Sequence, residues 1–258
     1  MISLPFLLTK IEPVIREAGQ ILLRAHVDRS EIIQKSGHKN FVTLYDKEIQ
    51  SFLEAKLKEI HPEAAFYAEE DDSHNESMLE TGDVFVIDPI DGTSNFMKGY
   101  YPSCISIGLM REGRPSLGMI YVPQTDDLFQ AVRGEGAYHN GKRIFSSDEP
   151  LEESLMAFGT APYYEELHEK AFQTAAWYLK RCIDIRRSGS AAYDLCMVAC
   201  GRIGVYAEPV IQLWDFAAGG LIAEEAGAKV TDWEGNPLSY REPSGVLAVS
   251  RGIAKLGG

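Results

Sequence analysis

The apolar positions of the chain change period several times, and each change marks an expected element. Ile11, Val14, Ile15, Ala18, Ile21, Leu22 and Ala25 recur at helical spacing and predict an amphipathic first helix. Ile49, Phe52, Leu53, Leu57 and Ile60 predict a second, which ends at His61-Pro62. Ser36-Gly37-His38-Lys39-Asn40 reads as the loop between them. Residues 65–68 read as a short strand. Val84-Phe85-Val86-Ile87 is a continuous apolar run and predicts a strand buried on both faces. A short helix follows it. Strands are then expected at residues 104–110, 117–122 and 128–132, with Glu112-Gly113-Arg114-Pro115 and residues 123–127 as turns. Asn140-Gly141 is a hairpin signal, so this part reads as an antiparallel meander bent at Gly134 and Gly136.

Ser146-Ser147-Asp148-Glu149-Pro150 is polar and interrupts the pattern. It divides the chain into two expected subdomains, residues 1–148 and 149–258. Beyond it strand and helix alternate: a strand at 155–158, a helix at 163–180, a strand at 182–186. A helix opened by Gly189-Ser190-Ala191 runs to residue 200, and a strand spans 205–208. A last helix starts near Trp214-Asp215 and ends at Gly227, a natural C-cap, before a closing strand at 246–249.

Bulk properties narrow the function. The 258 residues, 45% hydrophobic, suffice for a real core. A formal net charge of −13 argues against nucleic acid or an anionic membrane as a main partner. No apolar run approaches the length of a membrane span, and the start, with Pro5 inside a short apolar run and no basic leader, does not read as a signal peptide. Cys104, Cys182, Cys196 and Cys200 form neither a zinc pattern nor a secreted disulfide framework. Reduced thiols and a cytoplasmic location are expected. Cys196 and Cys200 fall on one helix face.

The chemistry concentrates at Asp88-Pro89-Ile90-Asp91-Gly92-Thr93, which follows the buried strand. Pro89 forces a sharp turn there, Gly92 permits close backbone approach, and Thr93 or Ser94 suits a helix N-cap. Two acids and a set of free amide N–H groups are thereby crowded at a strand end. Such a place suits a divalent metal and a phosphate. An Asp-Gly turn leaving a strand is the plainer account of the same residues. Further acids stand at Asp46, in the first turn of the second helix, and at Glu69-Glu70-Asp71-Asp72, after a strand. Helix electrostatics explains the first, and solvation of a charged loop explains the second.

In that order, Phe41-Val42-Thr43-Leu44-Tyr45-Asp46, Glu69-Glu70, Asp88-Pro89-Ile90-Asp91-Gly92-Thr93 and Trp214-Asp215-Phe216-Ala217-Ala218-Gly219 resemble the motifs of the inositol monophosphatase family, the Mg2+-dependent, lithium-sensitive phosphatases. The resemblance covers essentially the whole chain. It implies a layered α+β or α/β sandwich of the form αβαβα, with the site between the two halves, and commonly a homodimer. It implies two or three Mg2+ ions. Glu69, Asp88 and the carbonyl of Ile90 would hold the first. Asp88, Asp91 and Asp215 would hold the second, and a third, weaker ion would sit among Glu69 and waters near Asp46. Thr93 and Glu69 would orient and deprotonate the attacking water. Gly92 and Thr93 amides would cradle phosphate. Ser190, Ala191, Arg186 and Glu208 would fall near the substrate. A solvated guanidinium and an exposed strand-end acid are the plainer accounts of Arg186 and Glu208.

The implied activity is hydrolysis of inositol monophosphate or a similar small polyol or sugar phosphate. The same fold serves nucleotide 3′-phosphatases, NADP(H) phosphatases, fructose-bisphosphatases and histidinol phosphatases, and a non-catalytic regulatory relative is a further alternative. Lys98 stands where relatives usually carry His, and Pro102 falls one position later than their pattern. Both departures touch the loop beside the site and leave the acids alone.

Overall fold

The computed structural model describes residues 2–25, 32–34, 41–71 and 73–255; the expected loop at 36–40 and Asp72 lie outside them. In chain order the helices are α1 Leu4–Arg24, α2 Leu44–Ile60, α3 Thr93–Lys98, α4 His168–Leu179, α5 Ala191–Ala199, α6 Leu213–Glu225 and α7 Arg251–Lys255. The strands are β1 Ile32–Gln34, β2 Phe41–Thr43, β3 Ala65–Ala68, β4 Asp83–Asp91, β5 Cys104–Arg111, β6 Arg114–Val122 and β7 Asp127–Val132. They continue as β8 Gly136–His139, β9 Lys142–Ile144, β10 Leu155–Phe158, β11 Asp184–Arg186, β12 Val205–Ile211, β13 Lys229–Thr231 and β14 Ser244–Val249.

Two sheets carry the molecule. β3 to β9 form a seven-stranded sheet in sequence order, and β11-β10-β12-β14-β13 form a five-stranded one. Only β3 and β4 run parallel in the first; the rest is the expected meander, with Asn140-Gly141 turning β8 into β9. In the second, β10 is parallel to both β11 and β12, and β14 is antiparallel to β12 and β13.

Side-chain alternation along the strands sorts the core into layers. Phe85, Ile87, Ile105 and Ile107 face Ile11, Ile15, Ile49 and Leu53 of α1 and α2. The opposite face of that sheet, with Val84, Val86 and Ile120, meets Leu195 of α5 and Phe216 and Leu221 of α6. Tyr206, Val246 and Ala248 of the five-stranded sheet close over the same helices. Met156, Phe158 and Val205 then turn outward to Ala175 of α4 and Ile253 of α7. The order is αβαβα, the layered α/β sandwich. The sheets lie on either side of residues 146–150, yet α5 and α6 pack against both, so the two halves share one core.

Two elements depart from expectation in the same way. The central strand was expected to turn at Pro89 and the strand at 205–208 to stop before Pro209. Both run on, to Asp91 and Ile211, through register shifts between Asp88 and Asp91 and between Glu208 and Ile211. β4 and β12 are interior strands, where a proline without an N–H is accommodated only at a bulge. Each bulge sits at the strand's carboxyl end, and both ends line one cleft. The helix expected from residue 163 begins at His168, after a 3-10 turn at Glu165–Leu167. Tyr163 and Tyr164 line the cleft instead. β13 and α7 are short elements without a sequence signal strong enough to set them apart.

Candidate active site

The cleft has a volume of about 410 Å³ and is walled by the ends of β4 and β12 and the starts of α3, α5 and α6. At its floor Asp88, Asp91 and Asp215 each present a carboxylate oxygen, all within 4.8 Å of one another. The chain holds each acid by its other interactions. Asp88 Oδ1 accepts the N–H of Ile90 (2.9 Å) across the bulge. Asp91 Oδ2 accepts from the Ser190 hydroxyl (2.6 Å) and the Ala192 N–H (2.8 Å), at the N-terminus of α5. Cys104 Sγ approaches the same oxygen at 3.7 Å. Asp215 Oδ2 accepts the Gln212 N–H (2.8 Å) as part of the capping box that starts α6.

α6 can bring Asp215 inward because it packs hard on the seven-stranded sheet. A Cβ at Gly118 of β6 would stand 2.7 Å from the Ala218 carbonyl, so only glycine admits the helix there. The small residues after Trp214-Asp215 serve that approach. Glu69 follows β3, its N–H bonded to Ile87 O (3.1 Å), and lines the same cleft.

Asp46 is fully buried at the start of α2. Its Oδ2 accepts both the Thr43 N–H (2.7 Å) and the Thr43 hydroxyl (2.6 Å), the capping role that its position implied. Its Oδ1 lies 3.4 Å from Thr93 Oγ1, which donates at 3.0 Å to Ile90 O. The N-cap of α3 is Gly92 at φ 88°, not Thr93 or Ser94. Thr93 is therefore the first helical residue, and its hydroxyl is turned towards Asp46.

Glu208 is buried in the cleft wall, its Oε1 accepting from Ala161 N–H and its Oε2 from the Tyr206 hydroxyl, both at 2.8 Å. Ser190 and Ala191 also line the cleft. Arg186 does not. It is exposed and paired with Asp184 on the edge strand β11, and the cleft receives Arg187 instead. Lys98 is exposed at the end of α3, outside the cleft lining. Asn95, given no role from the sequence, ties the rim together by donating to Pro102 O (2.6 Å) and Ser188 O (2.8 Å). Asp194 was also missed. It is the lone acid of the apolar helix α5, a signal the sequence did carry.

Electrostatically the floor is under strain. Burial pushes the Asp88 carboxyl well up, and the charges of Glu69, Asp91 and Asp215 push it further. Burial raises Asp91, opposed by its bonds to Ser190 and Ala192. Burial, Asp91 and Glu69 raise Asp215. Close carboxylates disfavour one another's ionisation, and a bound cation reverses that. The donor set is all oxygen, which suits a hard divalent ion such as Mg2+ and offers nothing specific to zinc. The residues therefore fit the metal: Asp88, Asp91 and Asp215 as a set, with Glu69 and the Ile90 carbonyl beside them. Among the described residues no other group of three acids, histidines or cysteines converges in this way. All four cysteines are free, Cys104 and Cys196 buried and Cys200 half-buried.

The profile of the inositol monophosphatase family matches residues 6–256. The chain belongs to that family. It is 36% identical over 247 residues to a protein of Vibrio cholerae named Nus factor SuhB, spanning 92% of this chain and 89% of that one. It is 35% identical over 242 residues to the inositol-1-monophosphatase of Bacillus subtilis, spanning 93% and 91%. Among solved structures, an inositol monophosphatase of Thermotoga maritima matches with a TM-score of 0.85 at 30% identity, covering 96% of this chain and 94% of that one. The SuhB protein of Bartonella henselae matches with a TM-score of 0.86 at 31% identity, covering 95% and 94%. The family is Mg2+-dependent, in keeping with the acids at the floor of the cleft. Among the described residues no helix is long and apolar enough to cross a membrane.

Proposed function

We propose that this chain is a Mg2+-dependent phosphomonoesterase that hydrolyses the phosphate of a small cyclic polyol or sugar, with inositol monophosphate as the reference substrate. The observation that carries the reading is the convergence of Asp88, Asp91 and Asp215 at the floor of a cleft whose wall holds Glu208. Bound there, Mg2+ supplies charge neutralisation and Lewis-acid activation at the phosphate.

The chain's own groups do the rest. The Thr93 proton is engaged by the Ile90 carbonyl, so its oxygen is left to accept a hydrogen bond from the attacking water. Glu69 takes that water's proton. The Gly92 and Thr93 amides hold the phosphate oxygens, with Ser190, whose own donors go to Ser188 and Asp91, and Ala191 lining the cleft beside them. In-line attack breaks the ester bond, inverts phosphorus and releases the alcohol after protonation of the alkoxide. Each Glu208 oxygen has accepted one protein hydrogen bond and keeps capacity for a substrate hydroxyl. The intact set of acids favours an enzyme over a non-catalytic relative, although several relatives bear the name SuhB.

Phosphate release with and without EDTA tests the class, and three esters test the substrate. Myo-inositol 1-phosphate should outperform adenosine 3′,5′-bisphosphate. Glu208→Ala should lower kcat/KM for inositol phosphate by about ten- to hundredfold, because hydroxyls lose a buried acceptor, and should lower glycerol 2-phosphate less. Equal losses on every ester would remove Glu208 from recognition. A nucleotide preference would replace the polyol reading.

A further inference from the structure

Outside the cleft lining, His74 joins the two chain segments that carry acids from opposite halves of the molecule. Its Nε2 lies 2.7 Å from the Ala68 carbonyl. A carbonyl only accepts, so Nε2 carries the proton and donates. Its ring packs against both Tyr67, at 4.7 Å between centroids, and Trp214, at 4.9 Å, and those two also touch each other at 5.9 Å, so the three rings form a triangle. Tyr67 and Ala68 immediately precede Glu69, and Trp214 immediately precedes Asp215.

The surroundings explain why the segment needs such a brace. β3 is an edge strand, and the Ala68 N–H and C=O at its end are not taken up by β4. Asp71 Oδ2 accepts the N–H at 3.1 Å, and Asp71 N–H and His74 share the carbonyl. On the other side, the Trp214 carbonyl accepts the Ser106 hydroxyl at 3.3 Å, which ties the first turn of α6 to β5. The ring of His74 thus completes a three-ring contact between the edge of one sheet, through Tyr67, and a helix of the middle layer, through Trp214. It follows an acidic run that by itself reads as a solvated loop.

We propose that His74 is a positioning residue that sets the spacing between Glu69 and Asp215 and thereby the affinity of the cleft for a divalent cation. The proposal rests on the metal-dependent reading above. His74 acts through Ala68 and Trp214, so it governs metal affinity rather than the chemical step. Groups that orient metal ligands indirectly are typically worth about tenfold or more in metal affinity.

Calorimetric titration with Mg2+ tests this on wild type, His74→Ala, His74→Phe and His74→Gln, alongside melting in EDTA. His74→Ala should weaken Mg2+ binding by about tenfold. His74→Phe, which keeps a ring against Tyr67 and Trp214 but lacks the donor, should fall between it and wild type, and so should His74→Gln, which keeps a donor but lacks the ring. At saturating Mg2+, kcat should return to within about twofold of wild type. Should His74→Ala fold poorly, His74→Phe carries the measurement. Unchanged Mg2+ affinity in the variants, with only a lower melting temperature, would overturn the proposal and leave His74 a packing residue. A wild-type protein that binds no Mg2+ would instead overturn the underlying metal reading, and the wild-type titration alone reveals that.

Discussion

Asp91→Asn should cut phosphate release by more than about a hundredfold and yet melt higher than wild type when no divalent cation is present. Both results follow from the way Asp91 is held. Its Oδ2 accepts the Ala192 N–H and the Ser190 hydroxyl. In an asparagine the carbonyl oxygen must take the Ala192 N–H, because the amide NH2 cannot accept it. The NH2 is then forced to the side facing Asp88 and Asp215. A donor replaces a ligand oxygen, so metal binding and turnover fail. The same swap removes one of three buried acids that disfavour one another's ionisation and gives its neighbours a hydrogen bond. A gain of about 1 kcal/mol, modest for relief of this kind, raises Tm by about 2–4 °C in a chain of this size. Melting in EDTA and phosphate release in Mg2+ read the two effects separately. Full activity would remove Asp91 from the ligand set. A lower melt in EDTA would mean that the carboxylates do not destabilise one another as their burial indicates.

The convergence of Asp88, Asp91 and Asp215 was implied by the resemblance of their motifs to one family's, and each acid also sits at a chemically marked place. Two flank a proline and a glycine at the end of a strand, and one opens a helix of small residues. The hydrophobic periods likewise marked most helices and strands. What stayed hidden depended on pairing across the sheets. Pro89 and Pro209 look like strand ends until β4 and β12 are seen to continue past them through bulges, paired to β5 and β14. Arg186 and Arg187 are neighbours, and in an extended segment one residue decides which side a chain points to. The sequence contains both arginines and no sign of which one enters the cleft. His74 was lost for a related reason. Its partners Tyr67 and Trp214 are far from each other along the chain, so an acidic loop was the best local reading. Asp194 was recoverable, since a single acid in a helix as apolar as α5 is costly to bury without purpose.

Without metal, the protein should lose stability as pH rises from about 5 to about 8, and Mg2+ should restore most of it, increasingly so at the upper end. Burial and mutual repulsion raise Asp88, Asp91 and Asp215, and burial raises Glu208. Asp194, buried in the first turn of α5, is pushed up to about 8, chiefly by desolvation. In the unfolded chain these groups ionise in the ordinary carboxylate range. Between the two ranges the folded state holds more protons than the unfolded one, so each step up in pH favours unfolding. The stabilising contribution of the protonated forms is complete below the unfolded pKa values and is lost as pH climbs through the folded ones. Mg2+ competes with protons for Asp88, Asp91 and Asp215, so its stabilisation grows as they are stripped away. At a hundred times its dissociation constant a ligand contributes about 2.7 kcal/mol, a rise of about 5–10 °C in a chain of this length. Asp194 stands outside the converging three, so its share of the pH dependence should persist in Mg2+ and vanish in Asp194→Asn. Melting curves across this pH range, in EDTA and in millimolar Mg2+, for wild type and Asp194→Asn decide the matter. A metal-free melt that is flat or rises with pH would contradict the buried, mutually repelling carboxylates. A Mg2+ increment of the same size at both ends of the range would mean that the ion binds somewhere other than at the groups that lose protons.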